Sequence, residues 1–105
     1  MSLKLNTIAD VTVTTAGTRV QVTSSFIQAT TVVIQAKRAN TGKIYVGDSS
    51  VSSTRGLQLE PGESVSISID PSGIRGPDEL IMSDLYLDSS VSGEGAKVSY
   101  IARRA

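Results

Sequence analysis

The side chains best suited by type to chemistry are four carboxylates, Asp48, Asp70, Asp84 and Asp88, all in or beside polar stretches. Calcium is the ion such a set would hold, and it takes six to eight converging oxygens from closely spaced acidic ligands. Asp84 and Asp88 are four residues apart in a stretch that reads as a strand, so they share a face about 13 Å apart. They flank that strand rather than chelate one ion, and all four are expected to be solvated charges at strand ends. Ser and Thr make up about a quarter of the chain, but a hydroxyl needs a neighbouring base to become a nucleophile. The chain has no His and no Cys. That removes thiolate nucleophiles, disulfides, Cys/His zinc sites and a Ser-His-Asp arrangement. A Ser–Lys pair remains, yet none of Lys4, Lys37, Lys43 and Lys97 closes a Ser-x-x-Lys motif. Gly93-Glu94-Gly95 lacks the Lys and Ser/Thr of a phosphate cradle and precedes a strand, so it reads as a turn. The expectation is a non-enzymatic protein with no catalytic residue, no metal site and no cofactor.

Binding surfaces are the other use of side-chain chemistry. The aromatics are Phe26, Tyr45, Tyr86 and Tyr100, with no Trp. Sugars and single-stranded nucleic acids are gripped on aromatic platforms. Tyr45 and Tyr86 each alternate with aliphatic neighbours, which turns them to the face opposite the aliphatic pair. That face is an exposed patch, a partner interface or core, and interface or core is the reading favoured over a sugar platform. Ten basic and ten acidic residues give zero net charge. Nucleic-acid binders carry a basic stripe, whereas here the charges are scattered apart from Lys37-Arg38 and Arg103-Arg104. No nucleic-acid partner is expected. No segment approaches the ~20 apolar residues of a membrane helix, and the first residues lack the apolar run of a signal peptide. No membrane partner is expected, and the chain reads as soluble and released or assembled in the cytoplasm where it is made.

The elements that must present these surfaces are strands. Val11-Thr12-Val13-Thr14, Val20-Gln21-Val22-Thr23, Ile44-Tyr45-Val46, Leu57-Gln58-Leu59, Val65-Ser66-Ile67-Ser68-Ile69, Leu85-Tyr86-Leu87 and Val98-Ser99-Tyr100-Ile101 alternate apolar and polar. Period two places one row on a core and the other outside. Thr31-Val32-Val33-Ile34-Gln35-Ala36 has three apolar residues in a row and reads as a strand covered on both faces or central in the assembly. Pro77 to Met82 reads as one helical turn with Asp78 and Glu79 leading it. Pro61-Gly62 is placed for a type II turn, and Ser92 to Gly95 for a hairpin tip. About eight short strands with this punctuation give an all-β, single-domain antiparallel sandwich over residues 1–105. Asp48 to Arg55 and Asp70 to Asp78 are the loops placed to carry function.

From Ile44-Tyr45-Val46-Gly47 through Pro61-Gly62-Glu63-Ser64-Val65, and on to Asp84-Leu85-Tyr86-Leu87-Asp88 and Gly93-Glu94-Gly95, the chain resembles small β-sandwich structural proteins of tailed bacteriophage particles. The resemblance runs from about Val11 to Ile101. It implies a jelly-roll-like sandwich that coats or joins parts of a virion, foremost a capsid decoration (cement) protein on the outer head surface. The expected partners are the major capsid protein or other virion proteins, and further copies of the chain, with a trimer favoured. A tail, collar or fibre-attachment part is the alternative within the virion, and a host-glycan-binding module the alternative outside it. Residues 1–8 and 102–105 are candidate docking tails, because the alternating Leu3-Lys4-Leu5 needs something to cover it and Arg103-Arg104 is a basic end. The candidate partner contacts are Leu3, Lys4, Leu5, Asp48, Arg55, Tyr86, Arg103 and Arg104.

Overall fold

The computed structural model describes residues 3–68 and 80–103, with the backbone alone described for Leu3, Lys4 and Arg103. Ten strands follow in order: β1 (Leu3–Val13), β2 (Val20–Gln21), β3 (Gln28–Ala29), β4 (Thr31–Ala36), β5 (Ile44–Gly47), β6 (Leu57–Leu59), β7 (Ser64–Ser68), β8 (Leu80–Ile81), β9 (Tyr86–Ser89) and β10 (Glu94–Arg103). A single 3-10 turn, Met82–Asp84, precedes β9. One antiparallel sheet has the order β1-β10-β4-β7, a second β2-β9-β5-β6, and β3 pairs with β8 in a two-stranded ribbon. Apart from the short β3 and β8, the first strand lies beside the last and the chain passes back and forth between the two sheets. That is the strand order of a jelly roll.

Each of the seven alternating segments, like Thr31–Ala36, falls in a strand of one of the two main sheets, and alternation explains which face each presents. On the first sheet, Val32, Ile34, Ala36, Ala96 and Val98 point inward and are buried. Ile44, Val46, Leu59 and Leu87 meet them from the second sheet. Fully burying one such aliphatic side chain contributes about 1.5–3 kcal/mol. The outer row of the first sheet is hydroxyl-rich: Thr7, Ser99, Val33 and Ser66 stand side by side across it. Val33 is therefore exposed, and β4 is covered on one face only; its apolar run reflects the β-branched preference for a pleated surface rather than two buried faces.

Turn chemistry is as the residues dictate, but most turns join different sheets. Gly62, at φ +85°, occupies the third position of a turn closed by Glu63 N–H donating to the Glu60 carbonyl at 2.9 Å. It carries the chain from β6 in one sheet to β7 in the other. The Ser92–Gly95 segment is likewise a corner from β9 to β10, not a hairpin tip within one sheet, and Glu94 already belongs to β10. Leu80 and Ile81 form β8 rather than a helical turn, and residues 77–79 lie outside the described residues. Met82 follows, fully buried, its N–H bonded to the Ile27 carbonyl at 2.8 Å.

The corner at Glu94 closes one end of the sandwich. Its carboxylate accepts the Thr41 N–H at 2.6 Å, the Thr41 hydroxyl at 3.0 Å and the Gly42 N–H at 2.9 Å. The Asn40 side-chain amide adds a bond to the Gly95 carbonyl at 2.8 Å. The Thr41 and Gly42 amides, with the Thr41 hydroxyl, hold Glu94 below the ordinary carboxylate value, against a smaller opposing effect of desolvation.

Candidate functional site

The loop between β5 and β6 encloses a hollow with charged side chains on its rim. Gly47 ends β5, and the Asp48 carboxylate then accepts the Ser50 N–H at 2.8 Å while its carbonyl accepts the Val51 N–H at 3.0 Å. Asp is suited to this local turn because its short side chain reaches the backbone two residues on. Val51 is 3 % exposed and lies against Gly47 and Gly56, pinning the loop to the sheet. Ser52 and Arg55 exchange two backbone hydrogen bonds, 3.1 and 3.2 Å long. Gly56, at φ +115°, turns the chain into β6. The result is a hollow of about 330 Å³ lined by Gly47, Asp48, Ser50, Val51, Arg55 and Gly56.

Asp48 and Arg55 both line this hollow, yet no ion pair joins them. Among the described residues the ion pairs are Lys37–Asp10 at 3.1 Å and Lys43–Glu60 at 3.9 Å. A carboxylate and a guanidinium in one open hollow can grip a charged partner surface. No three carboxylates converge among the described residues.

The other acidic residues have separate roles. Asp88 is not a solvated strand-end charge: it is 3 % exposed. One of its oxygens accepts the Gly17 N–H at 3.0 Å and the Ser89 N–H at 2.8 Å, tying the β1–β2 loop over the second sheet. Burial is tolerated because the carboxylate is hydrogen-bonded. Asp84 sits in the 3-10 turn and is exposed, and Asp70 lies outside the described residues. Of the tyrosines, Tyr45 is buried opposite Asp88, and Tyr100 packs partly against the core. Only Tyr86 keeps a surface position near the hollow, directly across the strand pair from Gly47.

Register brings most of the candidate contacts to one end of the sandwich. Ala36 and Ile44 flank the connection from β4 to β5, which lies at the Glu94 end, so Thr31 and Gly47 mark the opposite end. Thr31 pairs with Ile101, and Ile101 with Leu5; Leu3 pairs with Arg103 just beyond. Gly47 leads into Asp48 and pairs with Tyr86. Residues 3–8 and 102–103 are thus strand, not free tails, and Arg104 lies outside the described residues. Leu5 is 66 % exposed at this end. Leu57, the first residue of β6, joins it at 49 % exposed, and Phe26, 69 % exposed, lies in the connection before β3. Phe26 follows Ser24-Ser25 outside any alternating segment. An aromatic stranded in a polar connection was the available signal.

The chain matches no family model, no curated protein and no solved structure. Its fold and this end of the sandwich are the basis for a functional reading.

Proposed function

We propose that the chain is a structural, non-enzymatic protein of a tailed bacteriophage particle, a capsid decoration protein that docks on the outer head surface and bridges capsid subunits. The observation that carries the reading is the end of the jelly roll that carries the hollow rimmed by Asp48 and Arg55, with exposed Leu57 following it at the start of β6. Apolar side chains rimmed by charge are the surface of a docking protein. The jelly-roll order and the resemblance to virion sandwich proteins support the same reading. Each copy buries a modest area, and many copies bridging neighbouring subunits make the sum strong.

Quantitative protein composition of purified particles tests this. The expected result is a band present in many copies that travels with the heads. Copies limited to a handful would move the protein to the tail or neck, and its absence from particles would end the virion reading. On particles lacking the chain, added Leu57→Ser and Arg55→Glu proteins should bind with lower occupancy than the parent.

A further inference from the structure

We infer that the outer edge of β1 pairs with the same edge of a second copy, in a two-fold register centred on Leu5. Backbone direction identifies what this edge offers. The Lys37 N–H bonds the Gly95 carbonyl at 3.2 Å and the Thr30 N–H bonds the Ile101 carbonyl at 2.8 Å, so the odd residues of β10 face β4. The even residues of β10 therefore face β1, and their partners are Lys4, Asn6 and Ile8. Alternation then turns the backbone N–H and C=O groups of Leu3, Leu5 and Thr7 to the other side. No described strand pairs with that side.

Natural sheet edges are blunted by bulges, prolines or charges. Along β1 the bulge comes late, where Ala9 and Asp10 together oppose Lys97 between the Ile8 and Val11 pairs. Residues 3–8 pair with β10 in unbroken register and contain no proline, and Leu5, the most exposed large aliphatic side chain among the described residues, stands in the middle of them. Lys4 is the single charge in residues 3–8, and an extended, otherwise uncharged edge is a template for strand addition.

The sequence of the edge selects a second copy and fixes the register. Antiparallel pairing must oppose the edge-facing residues Leu3, Leu5 and Thr7 with one another. Centred on Leu5, the two Leu5 residues face each other, Leu3 opposes Thr7 of the other copy, and Lys4 opposes Asn6. Centred on Lys4, the two ammonium groups would meet, and directly opposed like charges destabilise a strand pair. Centred on Asn6 or Thr7, the pairing would run into the bulge at Ala9–Asp10. The Leu5 register alone avoids both, and it joins Ile101–Leu5 of each copy into one apolar strip across the two-fold. β1 packs against the core at Ile8, Val11 and Val13, about 10 Å and 20 Å from the axis for Ile8 and Val11 at the strand rise per residue. Zero net charge adds no bulk repulsion between copies. The pairing does not require a virion setting.

The test uses the purified full chain. Sedimentation equilibrium over a concentration series should give twice the 11.0 kDa of one chain. Leu5→Lys places two cations at the axis and Thr7→Pro removes an edge-facing N–H that makes no bond to β10. Each should raise the dimer dissociation constant at least about tenfold, with monomer thermal melts confirming the fold. Because the chain has no cysteine, Leu5→Cys reads the register directly. Hydrogen-bonded antiparallel pairs hold Cα atoms about 5.5 Å apart, within disulfide reach. Leu5→Cys should cross-link on oxidation, and Thr7→Cys, which faces Leu3, should not. A chain that stays monomeric, an oligomer indifferent to Leu5→Lys and Thr7→Pro, or cross-linking through Thr7→Cys instead would each overturn the inference. Particle composition is a separate measurement, so its outcome leaves this one standing.

Discussion

Replacing Gly56 with alanine probes how the β5–β6 loop is held over its hollow. Gly56 has φ +115°, a region that side chains rarely adopt, and forcing a side chain into it costs on the order of 1–3 kcal/mol. A Cβ there would also stand 2.5 Å from the Val46 carbonyl oxygen and 2.9 Å from Val51 Cγ2. The first neighbour is strand backbone and the second belongs to the plug of the loop, so neither yields without moving the loop. Overpacking of this kind adds roughly 1–3 kcal/mol. The sum, about 4 kcal/mol, corresponds to a fall in Tm on the order of 15–30 °C for a domain this size. Gly17 is the internal control. Its φ is +89°, and a Cβ would meet nothing within 4 Å, so Gly17→Ala should lose only the backbone part, about 1–2 kcal/mol. Urea unfolding of both variants, at unchanged m, separates steric from conformational cost. Equal losses, or a Gly56→Ala loss under about 1 kcal/mol, would refute the close approach of β5 to the loop.

Three further outcomes follow from the packing. Glu94 has a folded-state value below its ordinary one, so its contribution is complete above the ordinary carboxylate range and is lost as pH falls through the lowered value. Stability measured against pH should therefore drop more steeply in the parent than in Glu94→Gln on the acid side, and the two slopes should agree near neutrality. Asp88→Ala leaves the Gly17 and Ser89 amides without their acceptor; a loss of about 1–3 kcal/mol in chemical denaturation is expected. Ile34→Ala empties a fully buried position between the sheets and should lose about 2–5 kcal/mol by the same assay.

Strand positions were legible because a pleated strand with one buried face writes its period directly into residues such as Val98-Ser99-Tyr100-Ile101. Which strands pair was not legible: alternation around Pro61-Gly62 is the same whether the turn closes a hairpin or crosses between sheets. β1 begins well before Val11 because Leu3-Lys4-Leu5-Asn6 pairs along β10, and the bulge at Ala9–Asp10 interrupts the alternation that would have joined the two halves. Asp88 looked like a surface charge because nothing near it in sequence supplies a donor apart from its own neighbour; its second donor, Gly17, arrives from 71 residues away. The hollow's rim was legible at Asp48 and Arg55, since polar residues between two strand signals must lie outside. Phe26 was not, because a single aromatic in a connection has no period to report its exposure.

The position of β10 also governs when the fold can form. It leaves the ribosome after the other nine strands, yet it lies between β1 and β4 in the first sheet. Until it is made, β1 has no neighbour in that sheet, and β4 presents an unpaired side. Pairing Leu3 with Arg103 closes a loop through nearly the whole described chain, and such distant contacts slow folding toward the millisecond-to-second range. The end of the first sheet that carries Leu5, where β1 pairs with β10, therefore takes shape last.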